Sequence, residues 1–254
     1  MPRVRLTVSY DGRPFAGWQS QPSGATVQDV LEAALARICK ETRVPVHGSG
    51  RTDTGVHALG QVAHFDAPDT IRMDAAAWVR ALNVHLPPAV RILDATVLPE
   101  DNDFHARFSA KGKTYRYEID RGGVLSPFRA GLAWHHPHRI DVEFFRAAAA
   151  IFIGEHDFAA FAANRHDGKT LATTVRAISS IIVEERGETL AFTISGNGFL
   201  YKMVRLLVGS TTRCAEGRES IDWLRNLLEA PSGRTSQFCA PADGLYLVSV
   251  RYPE

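Results

Sequence analysis

The sequence predicts an α+β fold, in which each of two halves mixes several strands with about two helices. Some segments alternate apolar and polar residues with the two-residue period of a half-buried strand, others have the apolar spacing of an amphipathic helix, and both kinds occur on each side of residue 104. With 254 residues, 45% of them hydrophobic, the chain is long enough for one large domain or two smaller ones. We expect domains at 1–104 and 105–254, and the two halves share no obvious repeat.

The first half is predicted to contain strands and two helices. The strand segments alternate apolar and polar residues and are 4–10, 61–66 and 90–98. Thr26 followed by Asp29 is a capping-box pattern, and the apolar residues up to Ile38 then lie on one helical face. Asp74 is expected to cap the second helix, which Pro87 and its neighbouring proline end.

The second half is predicted to have the same mixture. Its strand segments are 115–119, 178–183, 190–195 and 245–252, and a turn at 184–188 contains Gly187. Asp141 is expected to cap a helix that ends at Gly154. Asn197 is expected to cap the next helix, and Ser220 a shorter one.

Composition excludes several classes of protein. No apolar run approaches the roughly 20 residues that a membrane helix needs, and the N-terminus leads directly into a strand pattern without a signal peptide. The three cysteines are far apart and form no CxxC pair, so they predict reduced thiols in a cytoplasmic protein rather than disulfides or a zinc site. The net charge of +1 does not by itself indicate a nucleic-acid partner.

Charge is unevenly distributed along the chain. Between residues 107 and 139 only Glu118 and Asp120 oppose a basic run, which consists of Arg107, Lys111, Lys113, Arg116, Arg121, Arg129 and Arg139. Such a run can form a local positive surface for phosphates. The alternative is a solvated strand face of mixed charge.

The run GRTDTGVHALGQVAHFD, residues 50–66, places one carboxylate in a turn built to expose it. Gly48, Gly50 and Gly55 surround Asp53 and suit a tight backbone, and Arg51 can keep a cation nearby. A rigid strand after such a turn suits an aspartate that acts as a nucleophile or orienting group. The alternative is an aspartate that only closes its own turn.

This run resembles the catalytic motif of the TruA-type tRNA pseudouridine synthases, the tRNA pseudouridine(38-40) synthase family. Further blocks resemble the family in the same order and extend the resemblance over about 4–252: SYDGRPFAGWQSQP, TVQDVLEAAL, FHARFSAKGKTYRYEI, GEHDFAAF, NGFLYKMVRLLVG and ADGLYLVSVRYP. The resemblance implies two similar domains whose antiparallel sheets join, with a central basic cleft. It also implies a cytoplasmic, homodimeric isomerase that makes pseudouridine at positions 38, 39 and 40 of the tRNA anticodon stem-loop, without cofactor, metal or membrane.

Residue by residue, the resemblance assigns roles in this reaction. Asp53 matches the catalytic carboxylate and Arg51 the arginine at the flipped base. Tyr115 matches the active-site tyrosine, which contacts the uracil and takes part in catalysis; on an alternating strand it is otherwise a core residue. Arg205 matches an arginine that pairs with the aspartate, and a snorkelling side chain is the alternative. Leu245 matches part of the base pocket.

Other features are less specific. Tyr10, Asp11, Phe15, Trp18 and Gln19 mix aromatic and polar groups, as an RNA-contacting loop does, or they pack that loop. Structural hydrogen bonding is expected for His57 and His64, since one strand cannot supply a three-ligand metal site. The chain departs from the family pattern at 211–217, within STTRCAEG, and at 236–240, within SQFCAPADG, which puts local packing and pocket-edge contacts in doubt.

Two rival functions belong to other classes. Asp53, Thr54 and Gly55 also spell the aspartic-protease motif, but the chain has a single copy, and Arg51 opposes the raised pKa that such a dyad needs. A non-catalytic RNA-binding module would use the same basic cleft. Binding alone, however, needs no carboxylate facing a polyanion, which argues against that module.

Overall fold

A computed structural model describes residues 1–40, 43–163, 173–229 and 235–253. The chain divides into two compact units, Met1–Lys111 with Tyr246–Glu254, and Gly112–Leu245. Each unit combines mainly antiparallel strands with helices, which confirms the α+β prediction. The division into domains at residue 104, the joined sheets and the basic cleft stay predictions.

The strands of the first unit are β1 (Arg3–Tyr10), β2 (His47–Gly48), β3 (His57–Asp66), β4 (Val90–Val97) and, from its second residue onward, β10 (Leu245–Arg251). β1 runs antiparallel to both β3 and β4, and β2 pairs antiparallel with β3. β10 runs parallel to β3, where Tyr246 is the partner of His57. The three predicted strands are confirmed, but β3 begins earlier than predicted, directly behind the Asp53 turn.

The helices of the first unit begin where the caps predict. α1 (Val27–Ile38) is capped by Thr26, whose hydroxyl accepts from the Asp29 N–H at 3.2 Å and donates to the Asp29 carboxylate at 2.5 Å. α2 (Ala75–His85) is capped by Asp74, whose carboxylate accepts from the Ala77 N–H at 2.7 Å. Both helices bury one apolar face, as their spacing predicts.

The strands of the second unit are β5 (Gly112–Asp120), β6 (Trp134–His135), β7 (Gly154–Asp157), β8 (Val175–Arg186) and β9 (Thr189–Gly196). β5, β9, β8 and β7 are antiparallel neighbours in that order, and β6 runs parallel to β5. Gly187, with φ of 60°, makes the turn between β8 and β9. The helices of this unit are α3 (Val142–Ala150), α4 (Met203–Ala215) and α5 (Ile221–Glu229).

Two predicted helix ends in this unit are wrong. Asn197 does not cap α4: its side-chain oxygen accepts from the Ala177 N–H, and its own N–H donates to the Ala177 carbonyl, both at 3.0 Å, so it closes the end of the β8–β9 ladder. α4 begins only after Lys202, a residue with φ of 59°. α3 ends at Ala150, and Gly154 is instead the first residue of β7, with φ of 117°.

Two other predictions can be compared with the described residues. Cys39, Cys214 and Cys239 are free, as predicted, and the first two are buried. Across 1–40, 43–163, 173–229 and 235–253, every helix is too short or too polar to cross a bilayer.

Candidate active site

Asp53 occupies the first position of a tight turn. The turn is closed by a 3.1 Å hydrogen bond from the Val56 N–H to the Asp53 backbone carbonyl, so the carboxylate does not make this bond. Gly55 takes φ of 79°, a conformation that favours glycine. Thr52 and Val56 are buried, whereas Asp53 is half-buried. The turn therefore anchors its two ends and presents the aspartate between them.

The opening loop, residues 10–26 from the end of β1 to the start of α1, holds the Thr52 end of the turn. The Tyr10 hydroxyl lies 2.7 Å from the Thr52 hydroxyl, and the Trp18 N–H donates to the Thr52 carbonyl at 3.1 Å. Gly17 has φ of 91°, and a Cβ at this position would lie 2.7 Å from the Thr52 carbonyl oxygen. Only a glycine lets the loop approach so closely.

The same loop also packs against the other end of the turn. A Cβ on Gly12 would lie 2.2 Å from the Val56 carbonyl oxygen, so the two backbones are in direct contact. The Gly12 N–H donates to His57 Nδ1 at 3.1 Å. The His57 ring stacks on the Tyr246 ring with centroids 4.7 Å apart. The Asp53 turn is thus held at both ends by one loop.

The aromatic residues of this loop pack rather than project. Tyr10, Phe15 and Trp18 are all buried, which favours the packing alternative for them over RNA contact. The sequence analysis missed the positioning role of Gly12 and Gly17. The available signal was a pair of glycines among bulky residues in SYDGRPFAGW, where a close backbone approach is the usual reason for glycine.

Arg51 lies beside the turn with an exposed side chain. Its Nε donates to the Gln19 side-chain oxygen at 3.3 Å, and Gln19 in turn donates to Gln28 at 2.8 Å. The Gln61 amide donates to the Gly50 carbonyl at 3.0 Å and so fixes the backbone that precedes Arg51. The role of Arg51 at the substrate base stays a prediction.

Tyr115 lies on β5 of the second unit, opposite Ile194 of β9. Its ring is 8% exposed and meets the Phe199 ring edge-on, at 5.0 Å between centroids and 80° between planes. These contacts fix the plane of the ring. They fit the core alternative for the ring itself, and the assignment of Tyr115 to catalysis stays a prediction.

Arg205 is the third residue of α4 and is half-buried. Its Nε donates to the Ala240 carbonyl at 2.7 Å, and the Ala240 N–H donates back to the Arg205 carbonyl at 3.1 Å. The Nε bond ties the side chain to the Ala240 backbone, which simple snorkelling to solvent would not do. The pairing with Asp53 stays a prediction.

Leu245 is 6% exposed and follows a short 3-10 turn. The glycine before it packs on β5, because a Cβ on Gly244 would lie 2.6 Å from the Glu118 carbonyl oxygen. Leu245 is therefore held firmly within the second unit, and its place in a base pocket stays a prediction.

The two departures from the family pattern contact each other, since the Arg213 guanidinium lies 4.4 Å from the Phe238 ring centroid, and residues beside them add further contacts. The Ser210 and Ser236 hydroxyls lie 2.6 Å apart, and the Thr211 and Thr212 hydroxyls donate to carbonyls one turn earlier in α4. A Cβ on Gly209 would lie 2.0 Å from the Phe238 carbonyl oxygen, so the 236–240 segment packs directly on the helix. The local packing therefore satisfies these hydroxyls.

Ion pairs neutralise part of the basic run. Glu118 lies 3.1 Å from both Arg116 and Arg129, and Arg129 also lies 3.0 Å from Asp120. Arg121 pairs with Glu185 at 2.7 Å. For these arginines the structure favours the alternative of a mixed-charge strand face.

His57 and His64 both make structural hydrogen bonds, as predicted. His57 Nδ1 accepts from Gly12, and His64 Nδ1 accepts from the Ala106 N–H at 3.2 Å. Among the described residues, no three His, Cys, Asp or Glu side chains are arranged to hold a metal ion.

Comparison with known proteins gives consistent matches over almost the whole chain. A family model described as tRNA pseudouridine synthase matches residues 6–109 and 148–253. The tRNA pseudouridine synthase A of Akkermansia muciniphila is 51% identical over 258 residues, covering 100% of this chain and 96% of that protein. The protein of the same name from Latilactobacillus sakei is 43% identical over 252 residues, with 98% of each covered. That of Streptococcus pneumoniae is 40% identical over 256 residues, with 100% of each covered.

Proposed function

Because the chain belongs to the tRNA pseudouridine synthase family, we propose that it isomerises uridine to pseudouridine at positions 38, 39 and 40 of the tRNA anticodon stem-loop, with Asp53 as the catalytic carboxylate. One observation carries the choice of Asp53. It is half-buried in a turn whose flanking residues, Thr52 and Val56, are buried and held by the opening loop. A carboxylate presented in this way is pre-organised to meet a substrate.

The reaction needs only groups that proteins supply. The N1–C1′ bond of uridine breaks, a C5–C1′ bond forms, the C5 proton leaves and N1 gains a proton, so atoms balance and no electrons are exchanged. An ionised carboxylate can attack C1′, attack C6 or assist formation of a glycal, and a second group must move the proton. We therefore expect turnover without added cofactor or metal.

The remaining site residues take the roles that the resemblance implies. Tyr115 contacts the uracil face and takes part in proton transfer, and its fixed ring plane suits stacking. Arg205, held by Ala240, supplies a positioned cation for the catalytic aspartate. Arg51 and Leu245 contact the target base, which must leave the helical stack before a carboxylate can reach it.

The proposal extends to the assembly and its location. We place the enzyme in the cytoplasm, where tRNA is processed, as a homodimer in which one tRNA can touch both subunits. The tRNA is read by its shape and phosphate path more than by its sequence.

The direct test is incubation with unmodified tRNA transcripts, without cofactor or metal, followed by chemical mapping of pseudouridine at single-nucleotide resolution. We expect product at positions 38, 39 and 40 with the wild type and none with Asp53→Asn. The matched control is Asp94→Asn, which makes the same change at an exposed carboxylate on β4 and should keep full activity. Product elsewhere in the tRNA would contradict the assigned positions, but it would still support the proposed isomerisation of uridine.

The second candidate, a non-catalytic RNA-binding module, makes a different prediction for the same variant. Removing a negative charge from a pure binding surface should leave the affinity for tRNA unchanged or raise it. Tight binding by the wild type and by Asp53→Asn, with no pseudouridine from either, would favour the binding module.

A further inference from the structure

We propose that His57 is a positioning residue for Asp53, and that its Nδ1 atom acts by fixing the opening loop against the Asp53 turn. The inference rests on the proposed role of Asp53. His57 is the first residue of β3, four positions after the aspartate, and it is 2% exposed. A residue buried to this degree acts through its neighbours.

The contact that carries the inference joins two backbones through one side chain. The Gly12 N–H donates to His57 Nδ1 at 3.1 Å. Next to this bond, Gly12 lies so close to the turn that a Cβ would fall 2.2 Å from the Val56 carbonyl oxygen. Nδ1 is the acceptor of the Gly12 N–H, so the loss of Nδ1 removes this bond between the loop and the turn.

The same contact determines the tautomer and the charge of the His57 imidazole. Nδ1 has one lone pair, so it cannot accept from Gly12 and also carry a proton. Asp11 Oδ1 lies 3.3 Å from Nδ1. Oδ1 already accepts from the Arg13 backbone N–H at 3.0 Å and from Arg13 Nε at 3.1 Å. The neutral imidazole with its proton on Nε2 therefore fits the site.

The state of Asp11 agrees with this assignment. Burial alone would raise the pKa of Asp11, but hydrogen bonds from the Arg13 side chain and backbone, together with the charge of Arg13 and a smaller contribution from His57, outweigh burial and lower it. The carboxylate stays ionised and satisfied by Arg13. It does not need a proton from His57.

The other face of the ring fixes its orientation. The Tyr246 ring stacks on His57 at 4.7 Å with an interplanar angle of 20°, and the two residues are partners in the β3–β10 pairing. The imidazole therefore has a fixed plane and a fixed acceptor direction. A fixed acceptor at Gly12 fixes the loop, and the loop borders the turn that carries Asp53.

The chain supplies a matched control on the same strand. His64 of β3 is also 2% exposed, and its Nδ1 also accepts a backbone N–H, that of Ala106, at 3.2 Å. It lies seven residues further along β3 and bonds no residue of the Asp53 turn. Substitutions at His64 therefore remove the same kind of bond without touching the catalytic turn.

The experiment compares His57→Asn with His57→Gln, and His64→Asn with His64→Gln. The amide oxygen of Asn can take the place of Nδ1, whereas that of Gln reaches toward the Nε2 position. Single-turnover rates are measured with saturating enzyme on a tRNA transcript, together with tRNA affinity and the thermal midpoint. We expect His57→Gln to slow the chemical step about ten- to a hundredfold at unchanged affinity, as for a catalytic group displaced by about 1 Å.

We expect His57→Asn to stay within about threefold of the wild-type rate, since it keeps the acceptor, and both His64 variants to do the same. Equal rates for His57→Asn and His57→Gln would overturn the inference. So would a rate loss in His64→Gln as large as in His57→Gln, or a weakened affinity that accounts for the loss.

A second measurement needs no variant. The nitrogen chemical shifts of the His57 ring at neutral pH should report a neutral imidazole protonated on Nε2, and a charged ring or an Nδ1–H tautomer would overturn the inference.

The two proposals fail separately. A wild-type protein that makes no pseudouridine, or a fully active Asp53→Asn, removes the proposed function and this inference with it, whereas an inactive Asp53→Asn beside an active His57→Gln removes the inference alone.

Discussion

Gly12→Ala is the sharpest test of how the Asp53 turn is held. The new Cβ would lie 2.2 Å from the Val56 carbonyl oxygen and 2.5 Å from its carbonyl carbon. Ordinary contacts between such atoms need about 3.5 Å, so loop and turn must separate by about 1 Å. Both neighbours are backbone atoms, which cannot rotate aside as a side chain can.

We expect two separable effects. Overpacking of this kind costs about 1–3 kcal/mol of unfolding free energy, which a folded protein of ordinary stability survives. A catalytic group displaced by about 1 Å loses on the order of a hundredfold in rate. The assay measures single-turnover pseudouridine formation and urea unfolding on the same preparation.

Gly123→Ala is the control for the substitution itself. It lies where a Cβ would meet nothing within 4 Å, so neither rate nor stability should change. If Gly12→Ala keeps the wild-type rate, whether or not it loses stability, the opening loop does not set the position of Asp53. The argument from close packing to catalysis would then be wrong.

Three further predictions follow from contacts in the first unit. Tyr10→Phe and Thr52→Val each remove one partner of a buried hydroxyl pair, so each should cost about 1–3 kcal/mol in urea unfolding, and the double variant should cost clearly less than the sum. Burial, reinforced by His105, lowers the pKa of His64 to about 4 from its ordinary 6.5, so the unfolded chain binds the extra proton at a higher pH than the folded protein does. The free energy of unfolding should therefore fall as pH drops from about 6.5 toward 4, by up to about 3 kcal/mol. His64→Asn should make this fall smaller. Thr26→Ala should cost about 1 kcal/mol by removing the α1 cap, and Thr26→Ser should restore most of it, as thermal unfolding can show.

Local chemistry explains which helix ends could be predicted. Thr26, Asp74 and Asp141 cap helices because the bonding partner lies three residues ahead in the chain, where a sequence pattern can find it. Asn197 fails because its partner, Ala177, lies on another strand. Tertiary contacts decide whether such a side chain bonds to its own turn or to a distant backbone group. The local spacing of residues carries no information about those contacts.

The same distinction applies to the candidate site. The glycine-rich turn around Asp53 is a local feature, and the sequence predicts it correctly. The two glycines that let the opening loop reach this turn are local residues with distant neighbours: Gly12 meets Val56, and Gly17 meets Thr52. The sequence of the loop does not show which distant atoms a Cβ on either glycine would contact.

The parallel pairing of β10 with β3 has a consequence for synthesis of the protein. His57 meets Tyr246 only after the ribosome has made residues 112–245 of the second unit, although Met1–Lys111 of the first unit precedes them. Domains generally fold as units during translation, but the first unit lacks one of its strands until the second unit has been made. Gly60 approaches β10 closely, since a Cβ there would lie 2.7 Å from the Val248 carbonyl oxygen, so β3 is shaped for a strand that is made after the second unit. A nascent chain therefore cannot complete the support of its Asp53 turn before the second unit has been synthesised.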